Sequence, residues 1–246
     1  MARFNIIDIG SAGLLAEPWS QHPEVVGNLL KFEPRDQDQQ LPRVHFLPYA
    51  LWSEEGERDF HVYRGFGGTG SSLLRQNFHY VAANFPELKL RGSPQLARTW
   101  FERSGEIRRE KLACRTLDSV LAELYAGGHA IRYKFLKVDA QGADFEILQG
   151  AREYLHTECL GLQCELFTIP LYEQMTLLDE VAAWLAGEGF FLWRKCPAHG
   201  TFDSQHDCIF LKSGADTLEL RRALELPVRR PSLIRRVWRR CTSVLR

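Results

Sequence analysis

The sequence predicts an α/β protein built on a doubly wound, mostly parallel sheet with an antiparallel strand pair near its C-terminal end. Three observations carry this reading. Short apolar runs such as FNIIDI (4–9), YKFLKVD (133–139) and CLGLQCELF (159–167) read as buried strands. Between and after the later runs, apolar residues recur at helical spacing: Leu117, Val120, Leu121 and Leu124, then Phe145, Leu148, Ala151 and Leu155, then Leu178, Val181, Ala182 and Leu185. Strands alternating with helices imply parallel crossovers. Finally, FFLWRK (190–195) and HDCIFLK (206–212) follow one another with no helical run between them, as an antiparallel pair does.

Each element has a local justification. NLLKFE (28–33) is a second strand closed by Pro34, and VHFLPYAL (44–51) a third that carries a proline. RDFHVY (58–63) alternates like a half-buried strand. The stretch GFGGTGSS (65–72) is too rich in glycine for an element interior and reads as a loop. Residues 78–111 read as a helix and loops. Thr116 is an N-cap for the helix that starts at Leu117. Residues 144–155 read as one helix, with Asp144 and Glu146 in its first turn, where the helix dipole favours acids. The helix begun at Leu178 ends at Gly187 or Gly189.

With 246 residues, 45% apolar and 25% charged, the chain is neither disordered, collagenous nor a coiled coil. No apolar run approaches the roughly 20 residues that span a bilayer, and MARFNIIDIG offers no signal-peptide core. The six cysteines form no CxxC pair, so the expectation is a reduced, cytoplasmic protein. The zero net charge hides an asymmetry. From Arg221 to Arg246 there are nine arginines against one glutamate, so this stretch carries +8 and the remainder −8.

In a doubly wound sheet, ligands bind beyond the carboxyl ends of the strands. The residues placed there are Asp8, Gly10, Ser11 and Gly13 after the first strand, then Glu33, Ala50 and Leu51, and later Asp139 and Glu165. Glycine permits a tight turn and close approach of backbone to ligand. Glu33, at the end of the second strand, is placed to accept from a ribose hydroxyl. A dinucleotide site places a glycine where Asp8 stands, because an aspartate would repel phosphate at close range. Carboxylates at 8, 33 and 139 suit a cationic ligand instead, and S-adenosylmethionine has a sulfonium, an ammonium and a ribose diol.

The segments IIDIGSAG, KFEP, YALWSEEGERDFHV, GSSLL, CRTLDSVL, FLKVDAQGADFEILQGA and ELFTIPLYEQMTLLDEV occur in this order. Together they resemble the FkbM family of S-adenosylmethionine-dependent methyltransferases, over roughly residues 4–212. The resemblance implies a Rossmann-like methyltransferase fold, S-adenosyl-L-methionine as cofactor, and methyl transfer to a hydroxyl oxygen of polyketide, sugar or related acceptors. By the same resemblance Asp8, Gly10, Ser11 and Gly13 fall on the cofactor's glycine loop and Glu33 on the ribose acid. Ala50 and Leu51 fall near the adenine, and Asp139 beside the methyl-transfer site. Gln141 and Asp144 stand where many members have two glutamates. Gln141 keeps hydrogen bonding without charge and is assigned no proton chemistry.

The expected organisation is a methyltransferase domain over 1–215, with an acceptor region at 52–132, and a basic helical tail over 216–246. Asp139 or Glu165 is expected to orient or deprotonate the acceptor hydroxyl, and Lys137 to pair with an acid. The loop at 65–72 is expected to cover the acceptor, with Ser71 and Ser72 as polar contacts. Aromatics from Phe66 to Phe101 are read chiefly as core, with stacking on a sugar ring as the alternative. No metal is assigned. Asp139 and Glu165 are too few for a cation, and the Cys196, His199, His206, Cys208 set is read as structural. Two readings of residues 229–246 stay open: packing on the acidic body, or lying on the inner face of an anionic membrane, which would bring the enzyme to a glycolipid. Nucleic acid is disfavoured, because basic residues are confined to this stretch. The rival functions are a non-catalytic binding member and a dinucleotide-dependent oxidoreductase.

Overall fold

The structure, a computed structural model, describes residues 2–10, 15, 17–34, 42–65 and 68–227. Its strands are β1 (Phe4–Ile9), β2 (Val26–Phe32), β3 (Val44–Leu47), β4 (Ala50–Leu51), β5 (Gly56–Tyr63), β6 (Glu106–Arg115), β7 (Phe135–Val138), β8 (Gly161–Phe167), β9 (Phe190–Lys195) and β10 (Gln205–Lys212). The helices are α1 (Phe78–Leu88), α2 (Pro94–Arg98), α3 (Trp100–Arg103), α4 (Leu117–Ala126), α5 (Asp144–Gln149), α6 (Arg152–Thr157), α7 (Leu178–Gly187) and α8 (Leu218–Leu224).

Seven strands form the main sheet in the order β3-β2-β1-β7-β8-β10-β9. The first five run parallel, and β10 lies antiparallel to both β8 and β9. This is the doubly wound, mostly parallel α/β sheet with a C-terminal antiparallel pair that the sequence predicts. Strand order reverses at β1, whose neighbours are β2 on one side and β7 on the other. Such a switch point leaves a crevice at the strand ends.

The two faces of the sheet differ. On one, Ile7, Leu30, Leu136, Leu162 and Phe210 are fully or almost fully buried against α4, α5, α6 and α7. Burying each such side chain contributes about 1.5–3 kcal/mol. On the other, Ile6, Phe135 and Leu211 pack under Trp19 and the apolar side of α8. Period-two alternation puts Lys31, Asp8, Lys137 and Gln163 on this second face, in one cross-strand row. They are buried together. Among the described residues no helix is long and apolar enough to cross a membrane.

Three elements differ from the sequence prediction. The third strand is split at Pro48: β3 pairs with β2 in the main sheet, while β4 joins a separate sheet ordered β4-β6-β5. Proline has no N–H to continue the ladder, so the chain changes sheets there. Strand β6, in the stretch predicted as helix and loops, carries charged residues at six of its ten positions, which masks a strand pattern. Those charges pair across to β5, with Lys111 Nζ 2.8 Å from Asp59 Oδ1 and His61 Nδ1 2.6 Å from Glu106 Oε2. The single helix predicted for 144–155 is two, α5 and α6, parted at Gly150. A Cβ there would lie 2.2 Å from the Trp52 carbonyl oxygen. Asp118 reaches across from α4 to restart the helix: its carboxylate accepts from Glu153 N and Tyr154 N, both at 2.9 Å.

The predicted N-cap is in place, with Thr116 Oγ1 accepting from Ser119 N at 3.0 Å. Residues 216–217 precede α8, and the rest of the basic tail, 228–246, lies outside the described residues.

Candidate functional site

A cleft of about 310 Å³ opens at the carboxyl ends of β1, β2 and β7. One wall is Gly10, Glu33, Ala50, Leu51 and Asp139, from four stretches of sequence, and the facing side is Gly68–Ser71 of the glycine-rich loop. Tyr49, Phe60 and Ile147 add apolar surface. Nothing local in the sequence distinguishes these three from core residues, so they are not legible as site residues before folding.

Gly10 sits where β1 and β7 converge. Its φ is +73°, and a Cβ would lie 2.1 Å from the Asp139 carbonyl oxygen. Its N–H donates to Phe32 O at 3.0 Å, and Asp139 N donates to Ile9 O at 3.0 Å. The backbone at this crossing has no room for a side chain, and the cleft floor is thereby set by glycine.

The predicted site residues separate into three groups. Gly10, Glu33, Ala50, Leu51, Asp139 and Ser71 line the cleft. Asp8, Glu165 and Ser72 are buried and do not belong to its lining. Ser11 and Gly13 lie outside the described residues. Asp8 is one residue inside β1, and its Oδ1 is 3.4 Å from Lys137 Nζ, which is also 3.4 Å from Asp139 Oδ2. The lysine thus pairs with acids, as expected. Burial alone would lower its pKa, but Asp139 and Asp8 outweigh that and hold the ammonium above its ordinary range.

Gln141 stands between Asp139 and Glu165. Its Nε2 donates to Asp139 Oδ1 at 3.0 Å and to Glu165 Oε2 at 2.8 Å. Gln205 Nε2 donates to the same Glu165 oxygen at 3.0 Å. Burial, then the charges of Asp139, Asp144 and Asp207, push the Glu165 carboxyl well above its usual range and favour its neutral form. Asp144, fully buried, is raised to about 7 by burial and by Asp139. Its carboxylate accepts from Ala140 N and Glu165 N, both at 3.2 Å, which fastens the β7–α5 loop to β8.

Both serines hold the glycine-rich loop in shape. Ser71 Oγ donates to Gly68 O at 2.6 Å and accepts from Tyr63 N at 3.1 Å. Ser72 Oγ is 3.4 Å from Ala140 O and accepts from Leu74 N at 3.0 Å. Of the aromatics read chiefly as core, Trp100 is buried, while Phe78 and Phe101 beside it are 38% and 37% exposed. Phe66 lies outside the described residues.

Among the described residues no three His, Cys, Asp or Glu side chains are grouped to hold a metal ion. Cys208 is buried in the main core, and His206 Nδ1 lies 2.8 Å from the Cys196 carbonyl oxygen.

The lining of the cleft is acidic and apolar. It presents the carboxylates of Glu33 and Asp139, an apolar pair at 50–51 and a backbone crossing that only glycine allows. Its lysine is already committed to acids.

No curated protein matches the sequence. The crystal structure of a methyltransferase FkbM from Methylobacillus flagellatus KT is similar at 12% identity and a TM-score of 0.44, over 85% of this chain and 43% of that one. This chain therefore spans less than half the length of that protein's chain. The sequence model of the Methyltransferase FkbM domain matches residues 23–192, more than half of the 246. On that match, the chain belongs to the methyltransferase FkbM domain family.

Proposed function

We propose that the chain uses S-adenosyl-L-methionine to methylate a hydroxyl oxygen of a small molecule, a sugar of a glycan or glycolipid. The observation that carries this reading is the cleft wall, where Gly10, Glu33, Ala50–Leu51 and Asp139 meet beyond the strand ends. Glu33 is the acceptor for the ribose hydroxyls, Ala50 and Leu51 give apolar contact to the adenine, and the acids offset the ligand's positive charge. The bound cofactor supplies a methyl group on a sulfonium. The chain's own contribution is alignment of the acceptor oxygen within near-attack distance. Asp139, at the cleft surface, receives the hydroxyl proton. Glu165 is a weaker choice of base, because it lies behind Gln141 and its environment favours the neutral acid. The loop at 68–71 bounds the side where the acceptor enters.

Calorimetric titration of S-adenosylhomocysteine into wild type and Glu33→Ala, with NADH as control, tests the cofactor. Binding to wild type, weakened in the variant and absent for NADH, is expected. Tight NADH binding would sink the reading in favour of an oxidoreductase.

A further inference from the structure

We propose that Gln141 is a positioning residue: its neutral amide fixes the orientation of the Asp139 carboxylate and bridges it to Glu165. The value of this to catalysis rests on the reading of Asp139 given above, but the arrangement itself is geometric. Gln141 is a non-glycine residue at φ 53°, a left-handed conformation that costs about 1–2 kcal/mol. Strain of this kind persists only where surrounding contacts enforce it. Here each polar atom of the amide is engaged. Nε2 spends its two hydrogens on Asp139 Oδ1 and Glu165 Oε2, and Oε1 is 3.2 Å from the Tyr172 hydroxyl.

Tyr172 fixes which way the amide faces. Its ring packs over Gly142, where a Cβ would come within 2.9 Å of Tyr172 Cδ2. Its single hydroxyl proton is shared between Gln141 Oε1 and Gly70 O, the latter at 2.9 Å. The Tyr172 hydroxyl on one side and the Asp139 carboxylate on the other set the orientation of the amide. One side chain thus ties the glycine-rich loop, the end of β7 and the end of β8.

The charge arrangement explains why an amide serves there. Asp139 is faced by Lys137 from its own strand, by Asp144 from α5, by Glu165 from β8, by Tyr172 from the segment after β8, and by Asp8 and Asp207 at one remove. Glu33 shares its cleft. A glutamate at 141 would set a further carboxylate within about 3 Å of two others, and neighbouring carboxylates that close cannot all ionise. A neutral donor instead gives Asp139 and Glu165 one hydrogen bond each.

The test is a titration of Asp139 by carbon NMR on protein labelled at aspartate carboxyls, assigned with Asp139→Asn. In Gln141→Glu the midpoint should rise by more than about one pH unit, and in Gln141→Met, of similar length but without the donor, by about half a unit or more. Midpoints within about 0.3 units of wild type in the folded variants would overturn the proposal. If Gln141→Glu fails to fold, Gln141→Met decides alone. Binding of S-adenosylhomocysteine by wild type is measured in parallel. Its loss would remove the cofactor reading while leaving the Asp139 titration, and so this proposal, to be judged on its own.

Discussion

Replacing Gly10 with alanine tests the geometry of the cleft floor most directly. The new methyl carbon would start 2.1 Å from Asp139 O, 2.8 Å from Asp139 C and 3.3 Å from Ala140 Cα, all of them backbone. Ordinary contact begins near 3.4 Å, so the two strand ends must part by roughly 1 Å. The left-handed φ adds about 1–2 kcal/mol for a residue with a Cβ. Separation of the strands weakens the Asp139 N to Ile9 O hydrogen bond, a further 0.5–1.5 kcal/mol or so. The sum is about 1.5–3.5 kcal/mol, which for a chain of this size lowers Tm by roughly 3–14 °C. Displacing Asp139 by about 1 Å should also cost roughly a hundredfold in turnover, beyond any loss of cofactor binding. The assays are differential scanning calorimetry and titration with S-adenosylhomocysteine. A Gly10→Ala protein that melts within about 1 °C of wild type and binds the ligand equally would refute the crossing described here.

Glu33→Ala should weaken S-adenosylhomocysteine about 10–100-fold, the worth of a hydrogen bond to a charged group; unchanged affinity by calorimetry in the folded variant would remove Glu33 from the cofactor. Asp144 has a folded-state pKa of about 7 against 3.8 unfolded. The native state therefore binds more protons between those values, and the stability present below pH 4 is lost as pH rises toward 7, on the order of 4 kcal/mol at most. Urea midpoints from pH 4 to 8 should flatten in Asp144→Asn, leaving the slopes of the other shifted carboxyls, among them Glu165 and Asp118 of the same sign; an identical slope in the variant would contradict this. Lys137→Met strands two buried or partly buried acids and should cost about 3–5 kcal/mol, partly recovered when Asp8→Asn is added. A double variant no more stable than the single one, by thermal melt, would break the pairing.

Much of the framework was legible because the main sheet announces itself locally. β7 and β8 are short apolar runs, α4 and α7 have apolar residues at helical spacing, and Thr116 supplies a cap. What escaped was set by distant partners. β6 is charged at most positions and becomes a strand only because Asp59 and His61 lie opposite. The break at Gly150 depends on Trp52 and Asp118, both remote in sequence. In the site, residues at strand ends were readable from the rule that ligands bind there, and Gly10, Glu33, Ala50, Leu51 and Asp139 do share one cleft. Depth was not readable. A position at or near a strand end does not say whether a carboxylate faces the cleft, like that of Asp139, or the interior of the sheet, like that of Asp8. Nor could spacing reveal that Gln141 separates Glu165 from Asp139, because this depends on a left-handed turn.

The split at Pro48 has a consequence for how the protein can change. After Ala50 and Leu51 the chain departs at Trp52, and it returns through β6 directly alongside, with Ala50 opposite Cys114 and Leu51 opposite Arg115. Trp52 N donates to Arg115 O at 2.9 Å, so exit and re-entry are one hydrogen bond apart. The segment between them is a module with both ends at one point. Its outer surface can be exchanged while β1, β2 and β7 keep their places, provided the side that packs with Phe167, Tyr172 and Phe202 is kept. Among the described residues of the segment, Phe60, Leu73 and the glycine-rich loop are those that reach the cleft. Chimeras joined at 52 and 115 are therefore the natural cuts for altering one side of the cleft while Gly10, Glu33 and Asp139 on the other stay as they are.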